Sequence, residues 1–346
     1  MRTASTLTLA LAAFHKHLEV HGDFNHYAGI VSLHGMARLA TGTGDEKLIE
    51  ETRRQLMPYV RGERDFFANF PNYLCGGNAT AWMFYQGLLP EAEAAMRKYA
   101  EEILHEAVRT PEGILSHPRL PGENVIWIDV AFAVTPFLLF AGLALGEDAY
   151  IEEAFQQTHK MVEVFRDPEN GLLHQSLNMR GPGHRSEDHW SRGNGWGALA
   201  MAELAAYLPT DHPRREEAVA MYLDHIRSCA AFPDTEGLWH QEMTDRGNSY
   251  AETSGTGLML YALGLGIAAG VVPADERERF THGLKGLLGY ISEDTDIYHT
   301  CRGCLCPGQG TILEYRAMPP IRNDVHAFGP VVLAMGQGHL LGITQL

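Results

Sequence analysis

Trp190-Ser191-Arg192-Gly193-Asn194-Gly195-Trp196 runs without a break into an apolar stretch, 197–207. That stretch is rich in Gly, Ala and Leu and almost free of charge, so as a helix it has no face to give to water and must be surrounded. Its first residues are of another kind. Arginine, asparagine and tryptophan are costly to bury without partners, and glycine starts a helix poorly unless backbone has to come close to something. A flat apolar face, a planar cationic fork and amide donors are what a sugar acid needs. A capped helix start with a glycine turn is the simpler alternative reading of the same seven residues.

The pattern around this segment repeats. Segments 25–40, 77–89, 129–145, 195–207, 254–267 and 324–340 are apolar on nearly all sides. Between them lie amphipathic, charged segments at 5–20, 46–60, 91–108, 148–165, 214–231 and 274–291. Each of these has Glu, Arg or Lys on one face and Leu, Met, Val or Phe on the other. The two kinds alternate strictly, with comparable inner positions at Gly29, Gly77, Ala131, Gly195, Gly255 and Gly329. Six helical hairpins with a wet outer ring and a dry inner ring predict an all-α, closed (α/α)6 barrel, one catalytic domain over 1–346. An open solenoid would need polar caps, and both ends of the chain read as apolar.

Loop lengths place the site. Inner-to-outer connections are short, whereas outer-to-inner ones at 61–76, 109–128, 166–194, 232–253 and 292–323 are long. Long ordered loops are usually functional. These gather where the inner helices begin, and free backbone N–H groups there favour anions. A small acidic ligand in a central pocket follows.

Composition narrows the partners. With 27 basic and 43 acidic residues the chain carries −16, which repels nucleic acid and anionic membrane surfaces. No apolar run reaches the roughly 18 residues of a membrane span. Five unevenly spread cysteines suit a reducing compartment, and a first helix rather than a secretory leader is read at the start, so a cytoplasmic location is expected. Cys301-Arg302-Gly303-Cys304-Leu305-Cys306 lacks the two separated pairs of a structural zinc site; no metal or cofactor is expected. A monomer or small homo-oligomer fits the chain length.

Asp129 stands at the mouth of the most apolar inner segment, where burial raises a carboxyl pKa toward the range of a working proton donor. A plain helix cap is the alternative. Gly171-Leu172-Leu173-His174-Gln175 and Gly237-Leu238-Trp239-His240-Gln241-Glu242 repeat one motif, and either histidine could donate to a sugar. Glu252 and the stretch Asn323-Asp324-Val325-His326 open the last two inner segments.

On Trp127-Ile128-Asp129 with Pro136-Phe137-Leu138, on Gly171–His174, Trp190–Trp196, Tyr250–Ser254 and Asn323–His326, the chain resembles glycoside hydrolase family 105, the unsaturated rhamnogalacturonyl hydrolases. It resembles the related family 88 unsaturated glucuronyl hydrolases as well. The resemblance implies an (α/α)6 barrel acting on short, anionic oligosaccharides left by polysaccharide lyases, with a C4=C5 unsaturated uronic acid at the non-reducing end. It implies Asp129 as general acid/base. Trp190, Arg192 and His174 match residues lining the sugar subsite, Arg119 stands where the family places a basic residue, and His26 or Tyr27 provides the first-repeat contact. Trp196 and Asn194 complete the binding set. Where the family has a second aspartate, this chain reads Asn72, which can position water but cannot share a proton. The implied reaction is hydration of a vinyl ether, with Asp129 protonating C4 and water adding at C5. Two other readings stay open: a sugar 2-epimerase using a histidine pair, for which 18 histidines offer material, and a sugar-binding protein without activity.

Overall fold

Helices without a wet face have to be surrounded, and six of them here surround one another. The computed structural model describes residues 3–66, 76–120, 122–305 and 310–346. In chain order the helices are α1 (Thr6–His21), α2 (Tyr27–Thr43), α3 (Glu46–Val60), α4 (Asn78–Tyr85), α5 (Glu93–His105), α6 (Asp129–Leu145) and α7 (Asp148–Phe165). They continue as α8 (Ser191–Tyr207), α9 (Arg215–Cys229), α10 (Thr253–Ala268), α11 (Glu276–Leu288), α12 (Ile312–Ala317) and α13 (Phe328–Leu340). Helix α2 packs on α4, α4 on α6, α6 on α8, α8 on α10 and α10 on α13. Helix α13 then packs back on α2. The ring is closed, as the alternation predicts, and α1, α3, α5, α7, α9 and α11 lie outside it.

Glycine lets the inner helices approach this closely. A Cβ on Gly255 of α10 would sit 2.4 Å from Ser191 Oγ and 2.7 Å from the backbone N of Arg192, both on α8. A side chain there would push apart the two helices that carry the Arg192 region. Within α6, Pro136 cannot donate to the carbonyl four residues back, and Asn78 Nδ2 of α4 donates to that Phe132 oxygen at 3.0 Å. The kink-prone point of α6 is thus tied to its neighbour.

Some boundaries differ from the sequence reading. Helix α4 stops at Tyr85 instead of 89, since Gly87 takes a positive φ of 70°. Helix α8 begins at Ser191, not 195, which brings Arg192 and Asn194 into its first turn. Helix α13 begins at Phe328, after a turn in which Asp324 Oδ1 accepts the His326 N–H at 3.0 Å. The long loop 292–323 holds an extra short helix, α12, started by a Thr311–Glu314 capping box. Among the described residues no helix is long and apolar enough to cross a membrane.

Candidate active site

The inner helices begin at one end of the ring, and the long connections there are built from short hairpins. In the connection 166–175, Asp167 N–H bonds to Leu172 O at 2.8 Å and Gly171 N–H to Asp167 O at 2.8 Å. Gly171 takes φ 76°, which glycine tolerates without strain. The strand leaving this turn pairs with the approach to α6: β1 (Ile126–Trp127) runs antiparallel to β2 (Ser176–Leu177). The Ile128 N–H bonds to Gln175 O at 3.0 Å. This register sets Gln175 against Asp129, and Gln175 Nε2 donates to Asp129 Oδ2 at 3.4 Å.

Asp129 is the first residue of α6, and the cap position belongs to Ile128. The carboxyl is 8% exposed. Burial pushes its pKa up to about 6, against smaller opposing effects of Gln175, the Arg192 charge and the Trp196 indole. The physics of a proton donor is therefore present at the position the sequence picks out.

Arg192 lies in the first turn of α8 and is completely buried. One of its nitrogens, Nη1, donates to Ser254 Oγ at 2.8 Å and to Cys301 O at 2.6 Å. Its guanidinium covers the Trp190 ring at 4.4 Å. Nε and Nη2 have no protein partner. A buried cationic fork whose Nε and Nη2 donors are unused is suited to a planar anion such as a carboxylate. Glu252 holds this arrangement from below: it accepts from Ser254 N, Gly255 N and Cys301 N at 3.1, 2.6 and 3.0 Å. It is a fully occupied cap of α10.

From the first and last repeats, Tyr27 OH contacts His326 Nε2, whose Nδ1 lies 2.6 Å from Asp324 Oδ1. His26 caps α2 through Nδ1 and sets its ring edge-on to His326 at 5.6 Å. The Arg192 charge acts on Tyr27, His26, His326 and Asp324 alike, and that of Asp129 acts on Tyr27. Burial drives the His326 ring down to about 3, so it is neutral. Asp129, Gln175, Arg192, Tyr27 and His326 therefore form one electrostatically linked cluster where the inner helices begin.

Several sequence expectations need correction. His174 does not reach Asp129; its Nε2 stands 4.0 Å from Asp167 and its ring 4.7 Å from His189. Consecutive residues of an extended strand point to opposite faces, so Gln175 takes the pocket side and His174 the other. Asn194 is no free donor. Its Oδ1 accepts Leu173 N–H at 2.7 Å and its Nδ2 donates to Leu173 O at 2.9 Å, which ties α8 to the hairpin. Trp190 and Trp196 are each 1% exposed, one ring covered by Arg192 and the other stacked on Phe132 at 4.4 Å. Neither offers an open face to a sugar; Trp196 instead acts on Asp129 through its indole edge. Arg119 is exposed on the turn after His117, where its backbone N–H donates to His117 Nδ1 at 3.1 Å. Asn72 lies outside the described residues, as do Cys75 and Cys306.

Comparison with known proteins agrees with the fold and gives the family. The model of Glycosyl Hydrolase Family 88 matches residues 8–339. The chain belongs to this family. It is 31% identical over 168 residues to the unsaturated rhamnogalacturonyl hydrolase YesR of Bacillus subtilis, covering 47% of this chain and 48% of that protein. The chain thus spans about half the length of that curated relative. Among solved structures, a family 105 glycoside hydrolase of C. acetobutylicum superposes with a TM-score of 0.80 at 20% identity, over 94% of this chain and 98% of that one. A possible family 105 member from Klebsiella pneumoniae gives 0.82 at 21% identity, over 98% and 93%. Both share the six-hairpin ring.

Proposed function

We propose that this chain, acting as one (α/α)6 unit over residues 1–346, removes the 4,5-unsaturated uronic acid from the non-reducing end of lyase-generated oligosaccharides. The reading is supported by family membership and by the name of the Bacillus subtilis relative, and a single observation carries it. Asp129, buried and with a pKa near 6, lies within the field of Arg192, whose Nε and Nη2 are buried without partners. Ordinary glycosidases set two carboxyl groups about the scissile bond. Among the described residues, the two other carboxyls closest to Arg192 in its electrostatics are engaged, Asp324 with His326 and Glu252 as a helix cap. One proton donor and one carboxylate clamp suit an unsaturated uronide, which is a vinyl ether.

In this mechanism Arg192 holds the uronate carboxylate, and protonated Asp129 donates to C4. Positive charge develops at C5 and on the ring oxygen. Gln175, bonded to Asp129, keeps the carboxyl oriented, and the carboxylate then removes a proton from water adding at C5. The resulting hemiketal opens and the aglycone leaves with its own oxygen. Free thiols at Cys229 and Cys301 support a reducing, cytoplasmic setting.

Two tests follow. On a lyase digest the ultraviolet absorbance of the conjugated enol ether should disappear. Deuterium from the solvent should appear on C4 of the released keto sugar, and heavy oxygen should enter first at C5. Early mass spectra and proton NMR showing solvent oxygen at C1, with C4 unlabelled, would overturn hydration; an epimerase would leave the absorbance intact. Separately, Arg192→Lys keeps the charge but loses the fork, and kcat/KM should drop by on the order of 2 kcal/mol, roughly thirtyfold. Unchanged kinetics would place Arg192 outside the carboxylate subsite.

A further inference from the structure

Two hairpins of this chain follow a similar plan but hold their histidines differently. In each, an aspartate starts the turn, glycine closes it, and a histidine follows three residues later: Asp167, Gly171, His174 and Asp234, Gly237, His240. In the second, both ring nitrogens of His240 are engaged, Nε2 with Asp234 Oδ2 at 3.2 Å and Nδ1 with Ser249 O at 2.8 Å. In the first, the corresponding contact is displaced by a third residue. His189, in the segment leading to α8, places Nε2 2.8 Å from Asp167 Oδ2. His174 Nε2 is left 4.0 Å from that oxygen, and His174 Nδ1 is buried without a partner.

We propose that Asp167, His174 and His189 form a binding site for a divalent transition metal, of which zinc is the best match. One donor atom from each lies within 4.8 Å of the other two. Two imidazoles with one carboxylate, leaving room for water, are a recurrent zinc donor set. Metal–ligand bonds of about 2.0–2.2 Å place donors some 3.3–3.6 Å apart in a tetrahedron. The present separations of 2.8 and 4.0 Å from Asp167 bracket that range, so a small swing of the His174 ring completes the triad. The surroundings are those of an oriented ligand. His189 Nδ1 faces Thr244 Oγ1 at 3.5 Å and buried Glu242 at 3.8 Å, and Glu242 also accepts the His189 N–H at 2.8 Å. Asn170 Nδ2 steadies Asp167 at 2.9 Å. Arg185, the cation whose field reaches His174, is exposed and donates to Arg166 O at 3.4 Å.

The site is separate from the chemistry at Asp129, because His174 and Gln175 leave the strand on opposite faces. Its effect is structural: the metal clasps the 166–175 hairpin to the segment that starts α8. The same hairpin carries Gln175, so the clasp steadies the Asp129 side of the pocket from behind.

The test uses the full chain, stripped with a chelator and titrated with zinc chloride, with bound metal counted after dialysis. His174→Asn is the main variant, since the hairpin's backbone bonds do not involve that ring; His240→Asn, in the sister hairpin, is the control. The wild type and His240→Asn should each take up one more equivalent of zinc than His174→Asn. The His174→Asn affinity at this site should be more than about 100-fold weaker, beyond the loss typical of an outer-sphere change. Cobalt(II) in place of zinc should give visible ligand-field bands in the wild type that His174→Asn lacks. Zinc uptake by His174→Asn equal to that of the wild type, or no saturable equivalent in the wild type, would overturn the proposal. Circular dichroism confirms that the variants compared are folded.

Discussion

Asp129→Asn is expected to leave the toroid folded while turnover of an unsaturated disaccharide drops by about 10²- to 10⁴-fold or more. The substitution keeps the shape of the side chain and its contact with Gln175 but removes the transferable proton. On the proposed role of Arg192 as the carboxylate clamp, KM should change little. The wild-type pH profile should show the same group. A general acid must be protonated, and Asp129 titrates at about 6, so kcat/KM should fall as pH rises through that value. A variant retaining more than about a tenth of the wild-type rate would reduce Asp129 to a structural role. Stability gives an independent reading, in which Asp129→Asn should gain where activity is lost. The folded-state pKa of about 6 lies above the ordinary 3.8, so between these values the folded chain holds a proton that the unfolded chain has released. Stability therefore decreases with rising pH across that window, and the deficit is complete above pH 6. Asp129→Asn removes it, and the variant should be more stable near pH 8 by on the order of 3 kcal/mol, measured by urea unfolding. An inactive variant that is also stabilised distinguishes lost chemistry from lost structure.

The ring was legible because its physical cause is local. An apolar helix such as α6 or α10 shows in sequence as a run without charge, and burial on all sides follows. Asp129 was legible for the same reason, as one acid at the edge of such a run. Which way neighbouring side chains point was not. The Gly-Leu-Leu-His-Gln segment reads as a histidine motif, but strand parity turns His174 outward and Gln175 inward, and parity depends on the β1–β2 pairing across fifty residues of chain. The polar residues before Trp196 all read as ligand donors, yet Asn194 is consumed by the Leu173 backbone and the two indoles by packing. A polar residue beside glycines marks a close approach equally well when the approaching group is the protein itself. The clue that was available lay in two lone charges, Arg38 and Glu203, in inner helices that carry no other Asp, Glu, Lys or Arg beyond their first turn.

Those two charges meet across the barrel, and cutting them apart is expected to be the most destabilising single change. Helices α2 and α8 are opposite members of the ring, so they touch through long side chains rather than backbones. Glu203 Oε1 lies 3.0 Å from His34 Nε2 and accepts from Tyr261 OH at 2.5 Å, while Oε2 is 3.5 Å from Arg38 Nη1. Arg38 in turn covers the Trp82 ring at 3.8 Å and donates to Tyr207 at 2.5 Å. Burial alone would raise the Glu203 pKa; the Arg38 charge and the bonds from His34 and Tyr261 outweigh it and hold the carboxyl below its usual range. Glu203→Ala would strand the Arg38 cation in an apolar centre and leave Tyr261 and His34 without their acceptor. Removing one partner of a buried pair costs about 3–5 kcal/mol, visible as a lower urea midpoint with little change in slope. Glu203→Gln keeps an acceptor for His34 and Tyr261 and should cost clearly less. The network also predicts acid sensitivity: a carboxylate held below its normal pKa stabilises the fold above about 4.5, and that contribution fades as pH falls further. Eleven residues of helix, about 17 Å of rise, separate Glu203 from Arg192 on α8. The folded fraction of Glu203→Ala should therefore keep near wild-type kcat. A loss of kcat matching that of Asp129→Asn, in protein shown to be folded, would mean that this network is coupled to the pocket rather than bracing the ring beneath it.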